Sequence, residues 1–222
     1  MQPTDARDAR VEPELQGTVR RAARPKPGER RIHILQTLAS MLETPKGEKI
    51  TTAALAARLG VSEAALYRQF ASKAQMFEGL IDFIEETLFA LINQIVAKEP
   101  NGVLQARAIA LMLIHFSTKN AGMTRVLTCE ALVGEHERLA ERVNQMLDRV
   151  EASLRQCLRV ALAESQGPAT AATVKLPKGY DPAVRANLVV RYVIGCWHRY
   201  AQSGFVRGPD EYAYEQLRLI LQ

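Results

Sequence analysis

The segment Ile50-Thr-Thr-Ala-Ala-Leu-Ala-Ala-Arg-Leu-Gly-Val-Ser-Glu-Ala-Ala-Leu-Tyr-Arg-Gln-Phe-Ala-Ser-Lys73 decides how the rest of the chain is read. Two short runs with helical spacing of apolar residues, over 52–59 and 62–70, flank Gly60. Glycine there supplies the positive φ that a tight turn between two helices requires. Ala56 lies four residues before it, where only a small side chain lets a second helix cross closely. Leu55, Leu59, Val61 and Leu66 provide a small shared core. Ser62 is placed to cap the second helix, and Glu63 sits favourably in its first turn. An ordinary capped helical hairpin is the plain alternative, but glycine, small residue, caps and a short polar second helix together spell a helix-turn-helix.

That second helix presents Ser62, Glu63, Ala64, Tyr67, Arg68 and Gln69 toward solvent or nucleic acid. Small residues at its start allow the backbone to approach a major groove, while Tyr67, Arg68 and Gln69 are long enough to reach phosphates or base edges. Thr51 and Thr52 open the preceding helix, where hydroxyls and unpaired N–H groups can hold a phosphate. Lys73 stands at the same place on the following helix.

Outward from this motif almost everything reads as helix. Ile32, Leu35, Leu38 and Leu42 recur at helical spacing before Pro45 and Gly47 end the run. Ser72 can cap a long helix toward residue 97, broken by Pro100-Asn101-Gly102. Helices are expected over 103–118, 123–128 and 130–164, with Asn120-Ala121-Gly122 as a turn. Residues 165–181, with Gly167, Pro168, Pro177 and Gly179, read as a loop. Pro182 suits the first turn of a helix reaching about residue 203, and Asp210 can cap a last one to 221. With no alternating strand pattern the fold class is all-α, with about nine helices. The expected domains are a tail over 1–28, the helix-turn-helix domain over 29–73, and a larger helical domain over 74–222.

Residues 1–28 carry Pro3, Pro13, Pro25, Pro27 and Gly28 and no aromatic residue, too little apolar surface to favour order. The run 20–31 is basic, with Arg20, Arg21, Arg24, Lys26, Arg30 and Arg31 against Glu29. It fits either a solvated tail or an arm that touches phosphate.

Composition narrows the function classes. A chain of 222 residues with 47% hydrophobic and 24% charged residues excludes a wholly disordered protein. The charge of +5, from 29 basic and 24 acidic residues, permits a nucleic-acid partner. Cys129, Cys157 and Cys196 lie far apart with no C-x-x-C pair, so reduced thiols are expected rather than a disulfide framework or zinc site. The longest uncharged apolar stretch, 108–116, is far short of the ~20 residues of a membrane span, and the N-terminus lacks a signal-peptide core, so a cytosolic protein is expected. His33, His115, His136 and His198 show no metal-ligand spacing. No Ser-His-Asp order, G-x-S-x-G or phosphate loop is present, so neither catalysis nor a cofactor is expected. Asp82, Glu85 and Glu86 read as a solvated acidic face. Phe83, Met112 and Phe116, at helical spacing, fit a core as well as a groove. Gly195, amid Val193, Ile194, Cys196 and Trp197, fits close packing across a dimer interface or a helix buried within one subunit.

The pattern Thr51-Thr52-x-x-Leu55-Ala56, Gly60-Val61-Ser62, Leu66-Tyr67-Arg68-x-Phe70-x-Ser72-Lys73 resembles the DNA-binding domain of TetR-family regulators. The likeness continues through Met76-Phe77, Leu80-Ile-Asp-Phe-Ile-Glu-Glu86, Gly122-Met-Thr-Arg-Val-Leu-Thr128, Arg138-Leu-x-x-Arg-Val-Asn-Gln145 and Glu151-Ala-Ser-Leu-Arg-Gln-Cys-Leu-Arg159 to the closing Leu221-Gln222. These later segments resemble the nucleoid-occlusion members of the family, over about residues 29–222. The resemblance implies a homodimer paired through the last long helices, bound to a palindromic chromosomal site and so nucleoid-associated in the cytoplasm. It implies a second partner, the C-terminal tail of the division protein FtsZ, whose filaments such proteins disrupt. The tail site implied lies between the fourth and fifth helices, at positions matched by Phe83, Met112, His115, Phe116, Lys119 and Asn120. Leu91 and His115 stand where the family pattern has arginine and glycine. Two other readings stay open. One is a ligand-sensing repressor with a pocket lined by Met112, His115, Tyr192 and Trp197; the other is a helical interaction module that does not bind DNA.

Overall fold

A computed structural model describes residues 27–44, 50–167 and 175–222. The expectations for tail residues 1–26, for the helix stop at Pro45 and Gly47, and for residues 168–174 of the long loop lie outside these. Among the described residues there are nine α-helices and no strand. The first three, α1 (Pro27–Met41), α2 (Thr52–Leu59) and α3 (Glu63–Tyr67), form a small head. The rest form the body: α4 (Lys73–Lys98), α5 (Gly102–Lys119), α6 (Ala121–Leu127), α7 (Arg138–Ser165), α8 (Pro182–Gln202) and α9 (Ala213–Leu221). No helix is long and apolar enough to cross a membrane among the described residues.

Most helix ends follow from side chains that satisfy the first backbone donors. Thr51 caps α2 by accepting from the Ala54 N–H, Ser62 caps α3, and Ser72 caps α4. The Asn101 carboxamide accepts from the Val103 and Leu104 N–H groups to start α5, and Asp181 does the same for α8 ahead of Pro182. α1 begins at Pro27, two residues inside the stretch assigned to the tail, because the ring of proline is preset for a first helical turn.

Four further boundaries differ from those expected. α6 starts at Ala121, so Ala121 and Gly122, expected in a turn, are helical. α3 stops at Tyr67 rather than at residue 70. α7 starts at Arg138, not 130: Cys129 takes φ 60°, a single 3-10 turn covers Glu130–Leu132, and Gly134 takes φ 75°. α9 starts at Ala213 because Tyr212 has φ 58°; it is the Asp210 backbone carbonyl that accepts from the Ala213 N–H, and the first turn has no side-chain cap.

The core runs through the body without a break into the head. Met76, Leu80, Ile84, Leu88 and Ile92 of α4 are all buried, as are Ile109, Leu113 and Ile114 of α5. Trp197 of α8 is fully buried, and its indole N–H donates to the Leu113 carbonyl at 3.0 Å.

The acidic face of α4 is solvated at Asp82 and Glu86, as its residue pattern suggested, but not at Glu85. Glu85 is 5% exposed, and its carboxylate is shared by the guanidinium groups of Arg142 and Arg149 on α7. Asp82 meets Arg142 at 3.1 Å, and Glu78 meets Arg138 at 2.7 Å. The facing helix supplies a row of arginines, so the buried Glu85 carboxylate is paired rather than hydrated. Glu86, one position on, is exposed.

The head joins the body through backbone, not only through side chains. A Cβ on Gly122 of α6 would lie 1.9 Å from the Ala39 carbonyl oxygen of α1. Three residues on, Arg125 donates to the Thr44 carbonyl at 2.9 Å and lies over the Phe205 ring. Replacing Gly122 with Ala forces α1 and α6 apart and is expected to cost about 1–3 kcal/mol. The measurement is a urea titration, with a lower midpoint and an unchanged slope as the expected result.

Candidate nucleic-acid interface and an apolar groove

The helix-turn-helix is built by local rules. Gly60 has φ 65°, the Val61 N–H bonds back to Ala56 and the Gly60 N–H to Ala57, so α2 ends in a left-handed cap. Leu55 and Leu66 are buried between the two helices, with Leu59 and Val61 half-buried beside them. Arg31 of α1 closes the back of the unit: its guanidinium stacks 4.1 Å above the Phe70 ring and donates to the Gln69 carbonyl at 3.0 Å.

The predicted DNA-facing residues fall into two groups. Thr51, Ser62, Glu63, Ala64, Tyr67 and Arg68 are exposed along one side of α2 and α3. Thr52 ties part of this surface together. Its hydroxyl donates to the Glu63 carboxylate at 2.7 Å, and the Tyr67 hydroxyl reaches Thr52 at 3.4 Å. These contacts orient the acid of Glu63 and the aromatic ring of Tyr67 on the exposed surface. Gln69 is only half-exposed, because α3 has already ended and the chain turns toward Phe70. Lys73 is also set back: its ammonium lies 2.5 Å from the Glu135 carboxylate and over the Phe77 ring. Sequence reading missed this pair because Glu135 is 62 residues away.

The second feature is a groove of about 710 Å³ on the flank of the molecule. Phe83, Met112, His115, Phe116, Lys119 and Asn120, all six residues singled out on α4 and α5, line it together, as does Leu91. Their burial separates floor from rim. Phe116 is 7% exposed and belongs mostly to the core, Phe83 and Met112 are half-buried, and His115 and Lys119 are exposed. Asn120 is half-buried at the α5–α6 junction, where its amide donates to the Phe116 carbonyl at 2.8 Å. The wall that sequence reading missed belongs to α1 and the turn after it: Gln36, Ala39, Ser40 and Glu43 line the same groove.

The four residues offered for a ligand pocket do not share a cavity. Met112 and His115 line the groove, Trp197 is fully buried, and Tyr192 borders a separate hollow of about 670 Å³ on α8. That hollow surrounds Gly195, which is exposed, with no atom within 4 Å of where a Cβ would stand. Gly195 is therefore not in a helix buried within the subunit. Burial raises the Cys196 thiol there, as it raises Cys129 and Cys157, and pushes the Tyr192 phenol up as well.

A helix-turn-helix head on an all-helical body defines a TetR-type DNA-binding protein. Residues 48–80 match the family of bacterial regulatory proteins of the tetR type, and residues 101–222 match the tetracyclin repressor-like C-terminal domain of SlmA-like proteins. The chain is 46% identical over 194 residues to the nucleoid occlusion factor SlmA of Idiomarina loihiensis, covering 87% of this chain and 94% of that one. To the nucleoid occlusion factor SlmA of a Marinomonas species it is 46% identical over 201 residues, covering 89% and 95%. Among solved structures, a TetR regulator from Haloarcula marismortui superposes with a TM-score of 0.71 at 14% identity, covering 87% of this chain and 97% of that chain. FadR from Bacillus subtilis, solved with stearoyl-CoA, superposes with a TM-score of 0.68 at 11% identity, covering 86% and 97%. These two share the fold. The chain belongs to the TetR family and, within it, to the SlmA family of nucleoid occlusion factors, which are DNA-binding proteins and not enzymes.

Two measurements check the local chemistry. Thr51→Ala removes the α2 cap and is expected to cost about 1 kcal/mol in thermal or urea unfolding, whereas Thr51→Ser retains most of it. Because burial raises all three thiols, iodoacetamide at pH 8 is expected to alkylate the native protein more slowly than the urea-unfolded chain.

Proposed function

We propose that this protein works as a homodimer that docks on palindromic chromosomal DNA through α2 and α3 and, from there, binds the C-terminal tail of FtsZ in the groove of α4 and α5, disrupting FtsZ filaments over the nucleoid. The observation that carries the reading is the convergence of Phe83, Met112, His115, Phe116, Lys119 and Asn120, 37 residues apart at the extremes, on one groove. An apolar cleft with a single lysine at its edge suits a short peptide with aliphatic anchors and acidic residues. For DNA, Thr51 and Thr52 with the α2 N-terminus hold a phosphate. Ser62, Glu63 and Ala64 enter the major groove, and Tyr67, Arg68 and Gln69 reach its edges. Lys73 gives a further phosphate contact by exchanging its Glu135 partner for the backbone. The dimer is assigned to the α8 face, where Val184, Leu188 and Gly195 are exposed on one side of the helix. On this reading residues 29–73 read DNA, residues 74–222 dimerise and hold the partner, and the protein is cytoplasmic and nucleoid-associated.

Co-sedimentation of FtsZ filaments with and without a cognate palindrome tests the whole scheme. The expected result is loss of FtsZ from the pellet, strongest when DNA is present. A protein that binds the palindrome and releases it to a small acyl ligand, with FtsZ unaffected, is a ligand-responsive repressor instead. Tyr67→Ala is expected to weaken the palindrome by about 1–3 kcal/mol with an unchanged melting curve. Phe83→Ala and Lys119→Glu are expected to keep DNA affinity and lose filament disassembly. Since Phe83 is half-buried, its truncation falls below the ~3–5 kcal/mol of a fully buried phenylalanine, and melting curves show whether the variant is folded. Two folded, DNA-competent variants that still disassemble filaments at the parental dose would falsify the groove assignment.

A further inference from the structure

The reading above uses the α4 and α5 walls of the groove and leaves the α1 wall without a role. That wall belongs to the head, and it changes the charge of the site. The ionisable side chains lining the groove are Glu43, in the turn just after α1, with His115 and Lys119 of α5. Glu43 and Lys119 are both exposed, and among the described residues neither takes part in an ion pair. A peptide carrying only acidic residues meets attraction from Lys119 but repulsion from Glu43. A peptide that also carries a basic residue beside its apolar anchor satisfies both ends of the pattern, while Phe83 and Met112 take the anchor.

Resting on the reading that the groove takes a peptide, we infer that Glu43 is a specificity-determining residue: the groove selects a peptide that bears a base as well as an acid, and Glu43 pairs with the base. The choice is then made jointly by the head and the body, because the anion comes from the turn after α1 and the cation from α5. An acidic peptide of the right apolar content but with no base is disfavoured by the same carboxylate.

The test uses the full-length protein and a fluorescently labelled C-terminal tail peptide of FtsZ in low-salt anisotropy titrations. A second peptide has every Lys and Arg replaced by Gln. The parent protein is expected to bind the first about two- to fivefold more tightly, the range set by one partly exposed charge pair. Raising the salt to about 0.5 M is expected to shrink the difference. Glu43→Gln is expected to abolish the preference and Glu43→Lys to reverse it; Glu43 is exposed, and melting curves confirm that both variants fold. Equal binding of the two peptides by the parent and by Glu43→Lys overturns the inference. If Phe83→Ala still abolishes binding in that case, the groove remains the peptide site and only the role of Glu43 is lost. Failure of the folded parent protein to bind either peptide overturns the inference and the groove reading together.

Discussion

The contact between the Gly122 backbone and the Ala39 carbonyl sets the geometry of the molecule. With no side chain at Gly122, α1 can lie against α6 at backbone distance, and Arg125 one turn later secures Thr44, just beyond the end of α1. The head is thereby held at a fixed angle to the body. The position of α1 in turn makes a three-walled groove out of what would otherwise be an open face of α4 and α5. One missing methyl thus connects the placement of the DNA-reading helices to the shape of a site on the opposite domain.

α4 works with two different faces. Glu78, Asp82 and Glu85 are paired to arginines of α7, while Phe83, Thr87 and Leu91 are left to the groove. Burying the Glu85 carboxylate is costly in itself, and two guanidinium groups offset the cost. What the arrangement contributes is register: a helix slid by one turn would leave Glu85 without its partners. Arg149 also stacks on Phe89, so apolar and ionic contacts fix the same alignment.

How much of this was legible in the sequence depended on how local the cause was. The helix-turn-helix could be read outright, because Gly60, Ser62 and Ser72 act within a few residues of themselves. The groove on α4 and α5 was legible through resemblance and helical spacing, whose stripe correctly joined Phe83 to Met112 and Phe116. Its α1 wall was not, because nothing near Glu43 says which distant helix it will face. The start of α7 was missed because Cys129 carries no sign of its left-handed backbone, unlike a glycine. Glu85 was misread for a related reason: an acidic run looks hydrated until the facing helix, with its arginines, is known. Lys73 was read as free, and its partner Glu135 lies far along the chain.

Trp197 gives the molecule a built-in optical reporter. It is the chain's single tryptophan, wholly enclosed, and its indole donates to the carbonyl of Leu113, next to the groove residue Met112 on α5. Emission excited beyond the tyrosine absorption band therefore has one source, in a buried site pinned to the helix that forms the groove. A shift of α5 that lengthens this hydrogen bond changes the polarity the indole senses, so events at the groove can be followed in the native chain without attaching a dye.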